Sequence, residues 1–393
     1  MTSSCMWSSV GAHAEPILRL GAASPGGLIL PDASPTASTM YAPRGVWTDG
    51  ERIIVSDTGN HRVLIWNAWP GVNGAAADVV LGQPDFTSEG PNAAGLDTSR
   101  GLHLPTGLAV IDGDLVIADA WNHRIVVFDG IPTRNFTSPA LVIGQANLRE
   151  VEPNRGTEPA LDTLYWPFGF AVVAGVFWVA DTGNRRVLGW RGGLPRDGRP
   201  ADILLGQDSG TERRDNRGGE IGGMTFRWPH ALAGDDRTLY VADAGDHRVL
   251  GWSPPPIDIE READAVLGQQ DLSLIDEFKN RPQGASRMRF PYAVVSDSER
   301  LFVADTSNNR ILIWHGWPRA GAGVPADTVL AQPDMDANGE NRWQSVEPDT
   351  LCWPYGLALT QREGEASTGT ILAIADSGNN RATFWRVSGL SGD

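Results

Sequence analysis

The sequence lacks what several classes of protein require. It has only two cysteines in 393 residues, Cys5 and Cys352, too few for a disulfide framework and spaced unlike a zinc or redox motif. Its longest apolar stretch, Phe168–Ala180, has 13 residues, whereas a membrane-spanning helix needs about 20. Basic residues are also scarce: 32 Lys and Arg stand against 48 Asp and Glu, which gives a net charge of −16. Such a charge should repel DNA, RNA and anionic membranes, so we expect none of them as a partner.

Catalytic signatures are absent as well. The sequence contains no Gly-x-x-x-x-Gly-Lys-Ser/Thr, His-Glu-x-x-His, Gly-x-Ser-x-Gly or Cys-x-x-Cys, so it favours a non-catalytic protein. Residues 1–16 also lack the basic and apolar segments of a secretion signal, and we expect a cytoplasmic location. The apolar fraction of 41% is too high for a disordered chain. We therefore expect a folded protein that is a monomer or a weak oligomer.

What the sequence does contain is one unit repeated six times. The phrase Ala-Asp-Thr-Gly-Asn-x-Arg recurs with small variations, and its Asp stands at Asp57, Asp119, Asp181, Asp243, Asp305 and Asp376. The first four intervals are all 62 residues, and the last is 71. A Pro opens each unit, at Pro43, Pro105, Pro167, Pro229, Pro291 and Pro354. A fixed period of this length is the signature of a repeat architecture.

Each unit is typical of four short β-strands. In the second unit, a run after Pro105 is followed by Leu115–Asp119, a turn, Arg124–Phe128 and Ala140–Ile143. Since no segment keeps helical periodicity, we predict an all-β, six-bladed β-propeller with four-stranded antiparallel blades. The predicted repeat cores are about 41–83, 103–145, 165–207, 227–269, 289–332 and 352–386, in one propeller over 16–393 with a tail at 1–15. The last unit lacks a fourth strand, and Pro16–Gly21 is predicted to supply it and close the ring.

The repeated turn has an expected geometry. Gly59 can adopt the positive φ that a tight hairpin demands. The Asp57 carboxylate is expected to accept N–H groups of the turn and to pair with Arg62. This accounts for the repetition of Asp, Gly or Ser, and Arg.

The pattern Asp-x-Gly-Asn-His-Arg-Val, with a following Trp or Phe, resembles the NHL-repeat family of β-propellers. The resemblance, to six-bladed bacterial-type NHL-repeat proteins, covers nearly the whole chain, from about Pro16 to Trp385. It implies the propeller fold. For function it implies only a range, because these propellers include protein-binding modules, RNA-binding modules and a few enzymes.

Two ring positions beside the repeated Pro vary between the units. Two residues before it stand Tyr41, His103, Tyr165, Arg227, Arg289 and Cys352, and one residue after it stand Arg44, Thr106, Phe168, His230, Tyr292 and Tyr355. Both positions should lie at the axial start of the inner strands. We predict that these side chains form one ligand-binding ring, although such side chains can also simply fill the axis. Trp166, Trp228 and Trp353 beside the Pro are better explained as packing between blades.

About 20 residues connect each repeat to the next, at 84–103, 146–165, 208–227, 270–289 and 333–352. Loops of that length often have a function, and we expect them to wall one mouth of the channel. Together they carry 12 Lys and Arg against 19 Asp and Glu, with the basic residues gathered in the third and fourth connections. This uneven charge suits a protein partner or a small anionic ligand better than nucleic acid. The favoured function is therefore binding at the loop-walled mouth.

The alternative function is a metal-assisted lyase or hydrolase at the axis, using His103, His230, Tyr292 and Arg289. The segment Trp228–Leu232 looks like the Pro-His-Gly-Leu segment with which NHL-like amidating lyases present a zinc-binding His. Those lyases need three such His residues, and the other five units here have none at that position. A mixed site of His103, His230 and Cys352 is the remaining arrangement, and a catalytic transition metal is not favoured. His61, His123 and His247 lie in the repeated turn and are explained by the fold.

Asp334, Asp336 and Asn338 match the first half of a calcium-binding loop, with oxygen ligands at alternating positions. The twelfth position, which should be Glu, is Ser345. A plain acidic turn is the favoured interpretation, and structural calcium is the alternative. We predict no other cofactor.

Overall fold

The computed structural model describes residues 13–22, 34–257, 260–276, 283–297, 299–362 and 369–388. These residues form six sheets, one for each repeat, and strands of neighbouring blades contact each other around the ring. The predicted all-β, six-bladed propeller is confirmed. In the described part of the chain, no helix is long and apolar enough to cross a membrane.

The strands follow the repeats closely. Blade 1 contains β2 (Gly45–Thr48), β3 (Ile53–Asp57), β4 (Arg62–Trp66) and β5 (Val79–Leu81); blade 2 contains β6 (Pro105–Ile111), β7 (Asp114–Asp119), β8 (Arg124–Phe128) and β9 (Leu141–Ile143); blade 3 contains β10 (Pro167–Val173), β11 (Val176–Asp181), β12 (Arg186–Arg191) and β13 (Ile203–Leu205). Blade 4 contains β14 (Pro229–Asp235), β15 (Thr238–Asp243), β16 (Arg248–Trp252) and β17 (Ala265–Leu267); blade 5 contains β18 (Pro291–Ser296), β19 (Arg300–Asp305), β20 (Arg310–His315) and β22 (Thr328–Leu330); blade 6 contains β23 (Pro354–Arg362), β24 (Gly369–Asp376), β25 (Arg381–Ser388) and β1 (His13–Gly21). A two-residue strand, β21 (Gly321–Ala322), adds to blade 4 in parallel to β17.

The described helical segments are short turns. Those between the second and third strands are Thr58–Asn60, Ala120–Asn122, Thr182–Asn184, Ala244–Asp246, Thr306–Asn308 and Ser377–Asn379; those in the connections are Pro91–Ala94, Pro153–Gly156, Asp215–Gly218 and Glu340–Trp343. The turns between second and third strands lie on the same face as the connections between blades, because each fourth strand returns to that face. We call it the connection face.

The N-terminal strand closes the ring, as predicted. β1 pairs antiparallel with β25, from His13 opposite Ser388 to Gly21 opposite Arg381. The strand starts three residues earlier than the predicted Pro16. The last blade is thus assembled from both ends of the propeller.

The core lies between the blades. The second and third strands are almost entirely buried, and their apolar side chains pack against those of the next blade, as Val116 and Val127 of blade 2 do with Phe177 and Trp190 of blade 3. Burial of several such side chains at each blade interface is what the β-branched and aromatic runs of the repeat provide.

A buried ion pair fixes each blade to its two connections. In blade 2, Arg124 Nε lies 2.7 Å from Asp119 Oδ2, and both side chains are 0% exposed. Arg124 Nη2 also donates to the carbonyls of Thr98 and Gly101, 2.9 and 3.0 Å away, and Nη1 donates to the carbonyl of Leu148. One guanidinium therefore holds the connection before the blade and the connection after it. The same Asp–Arg pair is present in the other five blades.

The structure explains the turn glycine differently from the sequence prediction. The positive φ belongs to His61, at 55°, and not to Gly59. A Cβ atom on Gly59 would lie 2.5 Å from the ring of Tyr41, so glycine is needed for close approach. Asp57 pairs with Arg62 as expected, but its other oxygen accepts the N–H of Tyr41, from the strand entry, at 2.6 Å.

Removing one partner of a buried pair should be costly. We expect Asp119→Ala to lower the free energy of unfolding by about 3–5 kcal/mol, because Arg124 is left charged and buried. Asp119→Asn keeps the shape and should cost less. The control is Glu15→Ala, which breaks an exposed pair with Arg386 at 3.5 Å and should cost about 1 kcal/mol or less. Urea denaturation measures all three, and equal losses for Asp119→Ala and Glu15→Ala would contradict the assignment.

Candidate functional site

The inner strands approach one another closely around the axis. A Cβ atom on Gly107 would lie 2.7 Å from the carbonyl oxygen of Phe168 on the next inner strand. The same place is occupied by Gly or Ala in every blade, namely Gly45, Gly107, Gly169, Ala231, Ala293 and Gly356. The strands enclose a cavity of about 240 Å³, which we call the axial channel.

The six side chains that follow the repeated Pro line this channel, and five of them contact one another in order. Phe168 and His230 have ring centroids 4.4 Å apart, and His230 and Tyr292 4.5 Å apart. Tyr292 stacks on Tyr355 at 4.5 Å, and the guanidinium of Arg44 lies 4.6 Å above Tyr355. The geometry thus brings together this half of the predicted ring, which we call the axial ring: Arg44, Thr106, Phe168, His230, Tyr292 and Tyr355.

His230 is a neutral group in this ring. Its Nδ1 lies 2.9 Å from the carbonyl oxygen of Trp228, so Nδ1 carries the hydrogen and the lone pair is on Nε2. Burial lowers the pKa of His230 to about 4, against the opposing effect of the Trp228 hydrogen bond and with a further lowering by the charge of Arg44. Burial and the neighbouring Tyr355 raise the pKa of Tyr292, which keeps its hydroxyl protonated.

Arg44 is the charged member of the axial ring. Among the described residues it forms no ion pair, and its Nε atom is buried without a hydrogen-bond partner. None of the described residues that line the channel is a carboxylate. In this part of the structure, the axis therefore holds one positive charge without a negative partner.

The other half of the predicted ring lies elsewhere. The residues two before the Pro, namely Tyr41, His103, Tyr165, Arg227, Arg289 and Cys352, do not line the channel. Each donates its backbone N–H to the buried Asp of its blade, at 2.6 to 3.0 Å. The side chains of Tyr41, Tyr165, Arg227 and Cys352 pack over the glycine of the repeated turn. The single ring predicted from the sequence is therefore two sets, one at the axis and one on the turns.

This separation affects the candidate metal ligands. His103 packs against His61, with centroids 5.1 Å apart, while His230 lies in the axial ring and Cys352 lies over Gly378. Burial and the Asp376 carboxylate raise the pKa of Cys352 to about 12, so it is a thiol at neutral pH. Within the described ranges, no three His, Cys, Asp or Glu side chains are grouped as metal ligands.

The His residues of the repeated turn connect neighbouring blades. His61 Nδ1 accepts the N–H of Leu104 at 3.1 Å, and His123 and His247 do the same for Trp166 and Phe290. The side-chain oxygens of Asn309 and Asn380 accept the N–H groups of Trp353 and Ala42. Blade 3 has Arg185 in this place, and the N–H of Trp228 bonds to Asp243 instead.

These contacts fix a partly exposed apolar collar around the axial ring. We define the collar as the residues directly before the repeated Pro: Leu104, Trp166, Trp228, Phe290 and Trp353, with Ala42 in the first blade. Trp353 is 51% exposed, and the other four large side chains are partly exposed. Phe290 lies 6.3 Å from Tyr292, so the collar borders the ring.

The sequence alone predicts packing for the three Trp residues and does not single out Leu104 or Phe290. Trp228 and Phe290 are stacked at 6.2 Å, and Trp166 lies 5.0 Å from Trp121. The sequence signal that could have identified the collar is an apolar residue before every repeated Pro.

The candidate calcium segment has a repeated structural role. Asp334 Oδ1 accepts the N–H groups of Asp336 and Ala337, both at 2.9 Å. Asp85 and Asp271, at the same place in other connections, accept N–H groups two or three residues ahead in the same way. Calcium binding by Asp334, Asp336 and Asn338 stays a prediction.

Blade 4 contains an unusual buried carboxyl group near the mouth. Asn122, Asn184 and Asn379 each exchange two side-chain hydrogen bonds with an Asn of the connection that precedes their blade, at 2.8 to 3.1 Å. Blade 4 has Asp246 there, which is 0% exposed, and neither carboxylate oxygen has a hydrogen-bond partner. Burial, followed by the Asp243 charge, raises the pKa of Asp246 to about 7.

This pKa makes the stability of the protein depend on pH. The unfolded chain ionises Asp246 near pH 4, whereas the folded protein keeps it protonated to about pH 7. Stability from this group is therefore fully present below pH 4 and is lost as the pH rises to about 7, by on the order of a few kcal/mol. We expect Asp246→Asn, which restores the amide pair with Asn216, to raise the melting temperature above that of the wild-type protein at pH 8. At pH 4 this gain in melting temperature should be smaller. An equal change at both pH values would contradict the assignment.

Comparison with known proteins agrees with this architecture. The family model described as "NHL repeat" matches residues 102–128, which lie in blade 2. NHL repeat-containing protein 2 from Homo sapiens is 23% identical over 352 residues, covering 84% of this chain and 44% of the relative. The protein of the same name from Gallus gallus is 25% identical over 377 residues, covering 89% and 47%. The chain thus spans about half the length of the curated relatives that it matches.

A solved structure also shares the fold. A structural genomics protein of unknown function from Bacteroides thetaiotaomicron superposes with a TM-score of 0.51 at 12% identity, covering 96% of this chain and 76% of the other. At this identity the likeness concerns the fold alone.

Proposed function

Because the chain is an NHL-repeat β-propeller, we propose that it is a non-catalytic binding module that recognises a protein partner on the connection face. The observation that carries this proposal is the collar around the axial ring. A cytoplasmic location stays part of the proposal.

The collar has the chemistry of a protein-recognition surface. It groups aromatic side chains on one face, and aromatic residues dominate the binding energy of many interfaces. Its backbone is held by the turn side chains of the neighbouring blades, so little conformational entropy is lost on binding. A partner segment that presents apolar side chains would fit this surface.

Most basic side chains of the third connection, and Arg185 on the adjoining turn, are paired with carboxylates. Arg214 pairs with Glu212 at 2.8 Å, and Arg217 pairs with Glu260. Arg185 pairs with Asp215 at 2.6 Å. These basic side chains are largely neutralised, which favours recognition through the apolar collar over recognition through charge.

Trp353 should be a hot spot for the partner. Peptides selected from a random display library for binding to the native protein should bind Trp353→Ala about 30-fold more weakly, because an exposed central Trp is lost. The control is Trp343→Ala: Trp343 is 77% exposed, belongs to the fifth connection and lies outside the collar. Fluorescence polarisation compares the two. A library that yields no binder, or binders that lose equal affinity in both variants, would contradict the proposal.

A second candidate ligand is a small carboxylate in the axial channel, and the unpaired charge of Arg44 favours it. A guanidinium with free N–H groups can bind a carboxylate with two parallel hydrogen bonds. Tyr292 and Tyr355 line the channel with it, and the Tyr355 ring lies 4.6 Å from its guanidinium. The partner's own acidic side chain or a free metabolite could supply this group.

We expect Arg44→Met to weaken binding of small carboxylic acids about tenfold or more, because the charge-assisted hydrogen bonds are lost. Arg289→Met is the matched control, since the Nε of Arg289 is also buried without a partner but Arg289 does not line the channel. Calorimetric titration with acetate, succinate and citrate measures the effect. If the wild-type protein binds none of these acids, or if both variants behave alike, the channel site is wrong.

The metal-assisted lyase or hydrolase stays a prediction without comparable support. In the described part of the chain, the candidate ligands His103, His230 and Cys352 lie in separate surroundings.

A further inference from the structure

The outer edges of several blades are covered by a loop of the next blade. In blade 6 the N–H of Arg19 on β1 donates to Asn73 Oδ1 at 2.8 Å, and the N–H of Gly74 donates to the carbonyl of Arg19 at 2.8 Å. In blade 1 the N–H of Val80 donates to Asn135 Oδ1 at 3.0 Å, and the N–H of Phe136 donates to the carbonyl of Val80 at 2.9 Å. We call this pair of hydrogen bonds the edge clamp.

The clamp has a fixed place in the repeat. Asn73 and Asn135 each stand seven residues after the aromatic residue that ends the third strand, Trp66 or Phe128. In blade 4 the edge is covered differently, by β21. No clamp is assigned to blade 3, because the loop next to its edge includes residues outside the described ranges. Blade 5 is followed by blade 6, whose fourth strand is β1, so blade 6 has no loop between a third and a fourth strand.

Blade 2 has the parts of a clamp, but the clamp is open. Seven residues after Trp190 stands Asp197, followed by Gly198, whose φ of 68° matches the 70° of Gly74. Asp197 is paired with Arg199 at 3.6 Å and its side chain is 67% exposed. In the described part of the chain, no hydrogen bond joins this loop to Val142, the residue that it should cover.

The open clamp leaves a cleft between β9 and residues 195–199. Its volume is about 1000 Å³. Val142 has the register of Val80, since Val142 pairs with Val126 as Val80 pairs with Leu64. The N–H and carbonyl of Val142 therefore face the cleft, as those of Val80 face its clamp. An uncovered strand edge of this kind is a template for adding another strand.

The rim of the cleft is rich in arginine, and one of the arginines is unpaired among the described residues. It carries Arg149, Arg155, Arg196 and Arg199 and two acidic side chains, Asp162 and Asp197. Three of these arginines are paired: Arg155 with Asp162, Arg196 with Asp114, and Arg199 with Asp197 and Asp202. Arg149 is exposed and has no ion pair among the described residues. An acidic segment would complement this rim.

We propose that this cleft binds an acidic, extended segment of a partner protein, which adds as a strand beside β9 of blade 2. Backbone hydrogen bonds to Val142 provide the pairing, and the unpaired Arg149 favours acidic side chains. The site lies on the outer edge of the propeller, so it is distinct from the collar and does not depend on the function proposed for it.

The native protein can be tested directly by amide hydrogen exchange resolved to single residues. The probe is a labelled peptide of alternating Glu and Val, and the matched control peptide alternates Lys and Val. Without peptide, the amide of Val142 should exchange faster than that of the clamped Val80. With the acidic peptide, exchange of Val142 should slow about tenfold or more while Val80 is unchanged. The Lys peptide should leave both amides unchanged.

Two variants provide a matched pair. Val142→Pro removes the N–H that faces the cleft. It breaks no hydrogen bond to β8, so the blade should stay folded. Val142→Ala keeps the N–H. We expect Val142→Pro to bind the acidic peptide about three- to tenfold more weakly than Val142→Ala.

Several outcomes would overturn the proposal. One is equal binding by the two variants, and another is protection of Val142 by the Lys peptide as strong as that by the Glu peptide. A third is an amide of Val142 that is already protected without peptide. Such protection, if independent of protein concentration, would assign the edge to another segment of this chain; if it grows with concentration, it would assign the edge to a second copy.

Discussion

The buried Asp–Arg pair is the interaction on which the propeller depends. The arginine of each pair reaches the carbonyl groups of the connection before its blade, and in most blades those of the connection after it, while the aspartate also holds the backbone where the inner strand begins. A buried ion pair is favourable only when its remaining hydrogen-bonding groups have partners. Here the carbonyl groups of the connections are those partners. Long connections without regular structure are thereby fixed relative to the strands. The collar and the axial ring are ordered because their backbones follow directly after the residue that the aspartate holds.

Much of the fold could be predicted from the sequence, because a fixed period states both the number of blades and the place of each strand. The closing role of the N-terminal strand followed from the missing fourth strand of the last unit. The distance of each side chain from the propeller axis could not be predicted in this way. Tyr41 and Arg44 are three residues apart, yet one packs over a turn and the other lines the channel. The role of Gly59 was misjudged for a related reason, since close approach of Tyr41 is a tertiary contact that no local pattern records.

Several positions that depart from the repeat carry polar or charged groups that lack a hydrogen-bond partner or an ion-pair partner. Asp246 stands where three other blades have a paired Asn, and its carboxyl oxygens lack hydrogen-bond partners, with Arg248 3.6 Å away. Asp197 stands where the clamp residues Asn73 and Asn135 would predict Asn, and its loop leaves a strand edge open. Arg44 brings an unpaired charge to a ring of otherwise neutral side chains. Positions that repeat explain the architecture, and positions that depart from the repeat are where ligands can be recognised.

The pairing of β1 with β25 determines how the ring responds to force. His13 lies opposite Ser388, so the outer ends of the two strands lie side by side. Tension applied between them acts perpendicular to the strands and loads one pair of hydrogen bonds at a time, instead of loading the whole ladder in shear. If both ends were anchored, the last blade would unzip before the other five felt any load. The junction that completes the propeller is therefore also the place where it would open first when these two strand ends are pulled apart.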